Sequence, residues 1–212
     1  MRFDIITIFP KIFDSYFSES IIKRAVETKK IRIKVWNLRD FTKDKHKKID
    51  NKPYGGGPGM VIGVEAFARV LNKIKKPKSK LILLSARGKQ LTSKIAGEWA
   101  TKYKNIILIA GRYEGVDERV KDIFKAEEIS IGPYVLTGGE IPVMAVVDAV
   151  SRHIPEVLGK SESLEEKRYG VGVPVYTRPE VFIYKNKKYK VPEVLLSGDH
   201  TKIENWRIKH KK

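Results

Sequence analysis

Short apolar runs recur along the first 132 positions of the chain and predict β-strands. The runs are RFDIITI (2–8), IRIKVW (31–36), KLILLS (80–85), NIILIA (105–110) and EEISIG (127–132). Runs of this length that are rich in Ile and Leu and end at polar residues are typical of buried strands. The pattern therefore predicts five strands.

Helical spacing of apolar residues fills two of the gaps between these runs. VEAFARVLNKI (64–74) repeats its apolar side chains every three or four residues, and so does the segment from Leu91 to Trp99. Strands that alternate with helices indicate an α/β fold with a parallel sheet flanked by helices. Ligands of such sheets bind beyond the carboxyl ends of the strands, where SARGK, GRYEG and PYVLTGGE follow three of the runs.

The segment IPVMAVVDAVSRHI (141–154) is apolar nearly all round. Such a helix is either central or covered by a partner subunit. Asp148 and Arg152 lie four positions apart on it, which favours an ion pair. The character of the sequence changes after this helix. We predict a main domain over 1–159, a linker over 160–173 and a small, basic, mostly helical appendage over 174–212.

The charge balance points to an anionic partner. Lys and Arg total 43 against 25 Asp and Glu, a net charge of +18. This excess favours nucleic acid first and an anionic membrane second, with a merely solubilising excess as the alternative. The chain has no cysteine, which excludes disulfides, thiolate zinc sites and cysteine nucleophiles. We read no signal peptide and no membrane span, and therefore expect a cytoplasmic protein.

The first candidate site is KDKHKKIDNKPYGGGPGM (43–60). Its glycines leave backbone N–H groups open to a flat base or a phosphate, and the basic residues before them suit a polynucleotide. It is not a Walker loop, because no Gly-Lys-Ser/Thr follows. The alternative is a flexible surface turn with His46 as an ordinary surface histidine.

Two further candidates follow the fourth and fifth runs. In GRYEGVDERV, Asp117 and Glu118 could simply favour a helix N-terminus, but Arg112, Tyr113 and Glu114 have no such explanation. In ISIGPYVLTGGE, the glycines would let the chain fold over a ligand. No segment is a GxGxxG fingerprint. The residues alone indicate an α/β protein with a backbone-rich ligand pocket and a basic partner surface.

Taken together, several motifs resemble one family. PYGGGPGM, GRYEGVDERV, SIGPYVLTGGEIPVM, DAVSRHIPEVLG, YTRPE and VPEVLLSGDH…WR look like the bacterial tRNA (guanine-N1)-methyltransferases, the TrmD type of the SPOUT class. The resemblance implies a deep trefoil knot in the C-terminal part of the α/β domain and a homodimer with active sites at the subunit interface. It also implies S-adenosylmethionine as cofactor and tRNA as substrate. The methylated base would be guanine 37, preceded by another guanine.

The resemblance also implies roles for individual residues. Positions that match the family's cofactor contacts are Ser85, Gly111, Tyr113, Glu114, Ile131, Gly132, Pro133, Tyr134, Val135, Leu136, Gly138 and Gly139. Positions on the substrate side are His46, Asp50, Pro58, Gly59 and Arg112. Arg152 matches the catalytic arginine, and the alternative for it is the structural pair with Asp148. We predict no fixed metal site and leave a magnesium requirement open.

The sequence departs from the family at the general base. The family has an aspartate in the linker, where this chain reads SLEEKRYG and places Lys167. A lysine is normally protonated at neutral pH and is no base unless buried. We hypothesise that Glu166, one residue earlier, accepts the proton. The alternative is that Glu165 and Glu166 are both solvated and the enzyme is slow, altered or inactive.

Other departures bear on specificity. SARGK stands where the family has SPQGR, Pro133 stands where an acidic residue is common, and the linker after Tyr169 is shorter than usual. Two other functions compete with guanine methylation. One is a related SPOUT enzyme that modifies RNA elsewhere, for example at a ribose hydroxyl. The other is a tRNA-binding protein that has lost catalysis.

Overall fold

A computed structural model describes residues 1–159, 164 and 172–211 of the chain. The chain divides into two compact units, Met1–Gly159 and Lys160–Lys212. The strands of the first unit are β1 (Arg2–Thr7), β2 (Arg32–Asn37), β3 (Asp50–Asn51), β4 (Val61–Ile62), β5 (Lys80–Gln90), β6 (Asn105–Ile109) and β7 (Glu127–Ser130).

The core of the first unit is a five-stranded parallel sheet of order β2-β1-β6-β5-β7. All five predicted strands are confirmed and make up this sheet. Its central strand, β6, is fully buried from Ile106 to Ile109, as the continuous apolar run requires. The small antiparallel pair β3–β4 was not predicted, because each strand has only two residues.

Helices cover both faces of the sheet. They are α1 (Asp14–Phe17), α2 (Ser20–Glu27), α3 (Val64–Ile74), α4 (Ser93–Lys102), α5 (Arg119–Phe124) and α6 (Glu140–Ser151). Residues of α2, α4 and α6 pack into one apolar layer, and residues of α3 and α5 pack into the other. The parallel α/β fold with flanking helices is therefore confirmed, and α3 has the bounds that its spacing predicts.

The strand β5 departs from the prediction. The segment SARGK was expected to be a loop, but β5 continues through it to Gln90 and pairs with β7 a second time after an irregularity between Leu84 and Lys89. Gly88 makes this second pairing sterically feasible, because a Cβ there would lie 2.5 Å from the backbone nitrogen of Ile129. The expectation of a simple loop was wrong, since a glycine-tolerated bulge can return a strand to its neighbour.

Over residues 172–211, the second unit contains a hairpin and two helices. The strands are β8 (Val181–Tyr184) and β9 (Lys187–Lys190), which pair antiparallel, and the helices are α7 (Glu193–Leu196) and α8 (His200–Lys209). The side chain of Asp199 caps α8 by accepting a hydrogen bond from the N–H of Lys202 at 3.1 Å. The sequence analysis does not predict the hairpin. Within the described part of the chain, no helix has the length and apolarity needed to cross a bilayer.

Candidate active site

A cavity of about 480 Å³ lies at the carboxyl edge of the sheet. Its wall comes from β5 and β7 and from the segments that follow β6 and β7, chiefly residues 85–87, 111–116 and 134–139. The sequence analysis places SARGK, GRYEG and PYVLTGGE at one edge of the sheet, and residues of all three line the cavity. Of the twelve positions assigned to the cofactor, every one except Pro133 lines this cavity.

The segment after β6 forms a tight turn at the cavity wall. Tyr113 adopts a left-handed backbone with φ of 61°, and the N–H of Gly115 donates to the carbonyl of Arg112 at 3.1 Å. The N–H of Glu114 donates to the carbonyl of Met60 at 3.0 Å, which docks the turn against the end of the glycine-rich loop. The turn presents the half-exposed Tyr113 ring at the cavity.

The segment before α6 lies against this turn through its backbone. The N–H of Gly139 donates to the carbonyl of Gly111 at 2.8 Å. A Cβ on Gly139 would lie 2.7 Å from Cα of Ala110 and from the backbone nitrogen of Gly111. Only glycine allows this approach, which fixes one loop on the other. Tyr134 and Val135 are exposed at the rim and give the cavity an apolar edge.

A buried carboxylate braces the same contact. Glu140 begins α6, and its side chain is 2% exposed. One of its oxygens accepts a hydrogen bond from the Thr7 hydroxyl at 3.0 Å, and the other accepts from Nε of Arg112 at 2.8 Å. Arg112 also donates to the carbonyl of Thr137 at 3.2 Å, and its guanidinium lies 4.9 Å from the centroid of the Phe9 ring. The network joins β1, the turn after β6 and α6.

The sequence analysis missed Glu140 and Thr7. The available signal was a carboxylate that directly follows two glycines and precedes the apolar stretch 141–147 of the helix. A charged side chain is almost never buried without a partner, so its position pointed to a cation nearby. That cation is Arg112, 28 residues earlier in the chain. The second partner, the hydroxyl of Thr7, lies 133 residues away in sequence and could not be read from it.

Four charged side chains form a cluster at the rim between β5, α5 and β7. Arg87 pairs with Glu118 and, at 2.8 Å, with Glu128; Lys121 pairs with Glu118 and, at 3.2 Å, with Glu128. Hydrogen bonds from Lys121 and Arg87 lower the pKa of Glu118. Burial acts to raise the pKa of Glu128, but the hydrogen bonds from Arg87 and Lys121 outweigh it and the net shift is downward.

The residues assigned to the substrate do not all lie at the cavity. Arg112 lines the cavity, and Gly59 lies directly against the side chain of Glu114, so the glycine-rich loop touches the cavity wall. His46, Asp50 and Pro58 are not part of that wall. The carboxylate of Asp44 accepts hydrogen bonds from the N–H groups of His46 and Lys48 at 2.9 Å each, which orders the basic part of the segment. The bond from Lys48 is the main cause of the lowered pKa of Asp44.

Arg152 lies at the opposite end of α6 from the cavity. The first turn of α6 contributes Pro142 to the cavity wall, whereas Arg152 caps the last turn, about 15 Å further along the helix axis at 1.5 Å per residue. The backbone N–H of Arg152 donates to the carbonyl of Asp148 at 3.1 Å. The carboxylate of Asp148 accepts a hydrogen bond from Tyr16, which raises the pKa of Tyr16 to about 12. Glu166 and Lys167 lie outside the described residues.

No trio of His, Cys, Asp or Glu side chains is arranged to hold a metal ion in residues 1–159, 164 and 172–211. The cavity wall combines the carboxylates of Glu114, Glu118 and Glu128 with the guanidinium groups of Arg87 and Arg112. Arg87 pairs with both Glu118 and Glu128.

Comparison with known proteins identifies the family. The sequence profile described as "tRNA (Guanine-1)-methyltransferase TrmD" matches residues 1–212. A tRNA (guanine-N(1)-)-methyltransferase of Dictyoglomus turgidum is 51% identical over 212 residues, covering 99% of this chain and 84% of that protein. The protein of the same name from Clostridioides difficile is 45% identical over 214 residues, covering 98% and 90%. This chain belongs to the tRNA (guanine-N1)-methyltransferase family.

Proposed function

We propose that this protein transfers a methyl group from S-adenosylmethionine to N1 of guanine 37 in tRNA, next to the anticodon. One observation carries the proposal: the three segments that the family resemblance assigns to the cofactor meet around a single cavity of about 480 Å³. That volume is in the range of about 300–1,000 Å³ that small-molecule sites occupy. Membership of the family supplies the reaction type.

The residues present fit S-adenosylmethionine. Gly132, Gly138 and Gly139 bring backbone groups to the cavity, which suits an adenosine, and the exposed rings and aliphatic groups near Tyr134 suit a flat base. Glu114 places a carboxylate at the wall for the positive charge of the cofactor. When bound, the cofactor supplies an activated methyl group, so the protein needs to position and control charge rather than provide a covalent nucleophile.

Guanine N1 carries a proton and is a poor nucleophile. As the proton leaves, negative charge grows on O6, and we assign Arg152 to stabilise it. One well-placed donor of this kind is typically worth about 3–4 kcal/mol. The distance along α6 between Arg152 and the cavity of its own chain supports a homodimer in which Arg152 serves the partner's site. The exposure of Ile141 on α6 (59%) gives a partner subunit an apolar side chain to cover.

We assign proton removal to Glu166. The expected aspartate position holds Lys167, and Glu166 is an adjacent carboxylate. A general base typically contributes about 100- to 10,000-fold to a rate. The test compares Glu166→Ala with Glu165→Ala at saturating tRNA. We expect the first to lose turnover and the second to keep it; equal turnover in both would remove Glu166 from the mechanism.

The remaining organisation is part of the same proposal. Residues 1–159 form the methyltransferase domain with a trefoil knot in its C-terminal part, residues 160–173 link it to residues 174–212, and this last domain binds tRNA. Two segments pass close to the backbone of another segment near the cavity, at Gly88 and at Gly139, and these close contacts support the proposed knot. We place the protein in the cytoplasm, where tRNA is modified.

The experiment that tests the function is nucleoside analysis after incubation with methyl-labelled S-adenosylmethionine and tRNA. The proposal expects the label in 1-methylguanosine. Label on a ribose hydroxyl would favour the related SPOUT activity. Binding of tRNA without binding of the cofactor in calorimetry would favour the non-catalytic protein. Repeating the assay with and without a chelator decides whether magnesium is required.

A further inference from the structure

The hairpin β8–β9 carries an unusual concentration of exposed aromatic and basic side chains. Its ten residues, 181–190, include three aromatic residues and four lysines, with no acidic residue. Every one of the ten is exposed. The three rings, Phe182, Tyr184 and Tyr189, are each about half exposed, at 55%, 54% and 49%. Large rings at this exposure beside cations indicate a surface that binds something.

The register of the hairpin sorts these side chains onto two faces. Phe182 lies opposite Tyr189, and Tyr184 lies opposite Lys187. Because residues two apart on a strand share a face, the three rings and Lys187 lie together on one face. The other face carries Val181, Ile183, Lys188 and Lys190. The hairpin therefore separates an aromatic face from an aliphatic, doubly basic one.

The geometry of the aromatic face is ordered. The rings of Phe182 and Tyr184 are nearly parallel, with an interplanar angle of 11° and centroids 6.4 Å apart. Nζ of Lys187 lies 5.5 Å from the centroid of Tyr189, and Nζ of Lys185 lies 5.5 Å from the centroid of Tyr184. Lys185 and Asn186 both have positive φ, 49° and 61°, as in the two-residue turns that fix the register of a hairpin.

Parallel exposed rings with ammonium groups beside them match the requirements of unpaired nucleotides. Bases stack on aromatic rings whatever their identity, and lysines neutralise the phosphates between them. We propose that the aromatic face of β8–β9 binds unpaired nucleotides of the tRNA substrate by base stacking. This inference rests on the proposed function, because it takes tRNA as the partner. Nucleic acid fits better than an anionic membrane, because near-parallel ring faces suit planar bases.

The test uses substitutions that separate ring stacking from charge. The triple variant Phe182→Leu, Tyr184→Leu, Tyr189→Leu keeps apolar bulk on the strands but removes the ring faces. Lys187→Gln and Lys188→Gln remove the same charge from neighbouring positions on opposite faces. The dissociation constant for a tRNA transcript is measured for each at one salt concentration. Ultraviolet cross-linking of the unmodified protein to that transcript, with mapping by mass spectrometry, requires no variant to fold.

We expect the triple variant to bind tRNA at least about tenfold more weakly, since each stacked base is worth roughly 1–3 kcal/mol. Lys187→Gln should weaken binding more than Lys188→Gln, and cross-links should fall on the three rings. Cofactor affinity should stay that of the parent, because the described cavity is lined by residues of the first unit alone.

Several results would overturn the inference. One is a tRNA affinity of the triple variant equal to that of the parent. Others are equal losses of tRNA affinity from the two lysine substitutions, or cross-links that avoid residues 181–190. A triple variant that binds tRNA like the parent but adsorbs less to vesicles with anionic lipid would assign the surface to a membrane instead. Failure of the methylation assay would be distinguishable. If the triple variant bound tRNA more weakly but the parent formed no 1-methylguanosine, the proposed RNA-binding surface would stand and the proposed methylation activity would be wrong.

Discussion

At the scale of single residues, the site depends on one buried carboxylate. Glu140 accepts hydrogen bonds from Thr7 and Arg112, and both of its oxygens are therefore used. The side chain of Arg112 is 22% exposed and its guanidinium lies against Phe9, so neither partner of this pair is well solvated. Removal of one member of a buried pair usually costs more than the pair contributes, because the other charge stays behind.

The substitution Glu140→Gln should lower the free energy of unfolding by about 2–3 kcal/mol, within the range for breaking a charged, mostly buried hydrogen bond. Urea denaturation followed by circular dichroism measures this change. Glu65→Gln is the matched control: its carboxylate pairs with Arg69 at 3.6 Å on the surface, with a side chain 83% exposed. That control should be almost unchanged. Equal urea midpoints for the parent and Glu140→Gln would show that the hydrogen bonds of Glu140 do not stabilise the fold.

At the scale of elements, the loop contact at the cavity depends on Gly139. A methyl group there meets backbone atoms of Ala110 and Gly111, which cannot move aside as a flexible side chain can. The substitution Gly139→Ala should therefore displace the segment before α6 and weaken S-adenosylmethionine binding at least about tenfold. Gly159→Ala is the control, because no atom of the described residues lies within 4 Å of a Cβ at Gly159. Calorimetry that gives the same dissociation constant for both variants would show that the contact does not shape the cavity.

The charged cluster between β5, α5 and β7 predicts a dependence on acid pH. The pKa values of Glu118 and Glu128 are lowered in the folded protein. Their contribution to stability is therefore complete above the ordinary glutamate value of about 4.5 and is lost as pH falls through the lower folded values. Arg87→Gln should destabilise the protein at neutral pH, and the difference from the parent should shrink by about pH 3.

Urea midpoints at a series of pH values measure this effect. Lys94→Gln removes an exposed positive charge from α4 and is the control, since Lys94 is not part of the cluster. A difference between Arg87→Gln and the parent that stays constant with pH would mean that the ionised glutamates do not tie the three elements together.

At the scale of the whole molecule, the proposed homodimer builds each site from two chains. Gly139→Ala weakens cofactor binding and Arg152→Ala removes the proposed catalytic arginine, so each variant alone should be nearly inactive when the cofactor concentration is far below the dissociation constant of Gly139→Ala. After subunit exchange in an equal mixture, half of the dimers are mixed, and each mixed dimer has one intact site. The mixture should recover about one quarter of parent turnover. No recovery, with exchange confirmed by mass, would place cavity and arginine in the same chain.

The sequence predicts the molecule well where information is local or periodic. The five strands, α3 and the meeting of three predicted segments at one edge follow from apolar spacing and from the rule for parallel sheets. The continuation of β5 beyond Leu84 was not predictable, because it depends on a second pairing with β7 that only Gly88 permits. The Thr7–Glu140 contact joins distant positions, and one sequence carries no signal for such a pair. The hairpin β8–β9 was missed because its turn is Lys185–Asn186 rather than a glycine-containing pair.

The central claim is methylation of guanine 37, and the most direct measurement uses two tRNA transcripts that differ only at that position, one with guanine and one with adenine. Each is incubated with the protein and methyl-labelled S-adenosylmethionine, digested to nucleosides and separated. The account predicts label as 1-methylguanosine from the guanine transcript and none from the adenine transcript. Equal label in both transcripts, or none in either despite measurable cofactor binding, would contradict it.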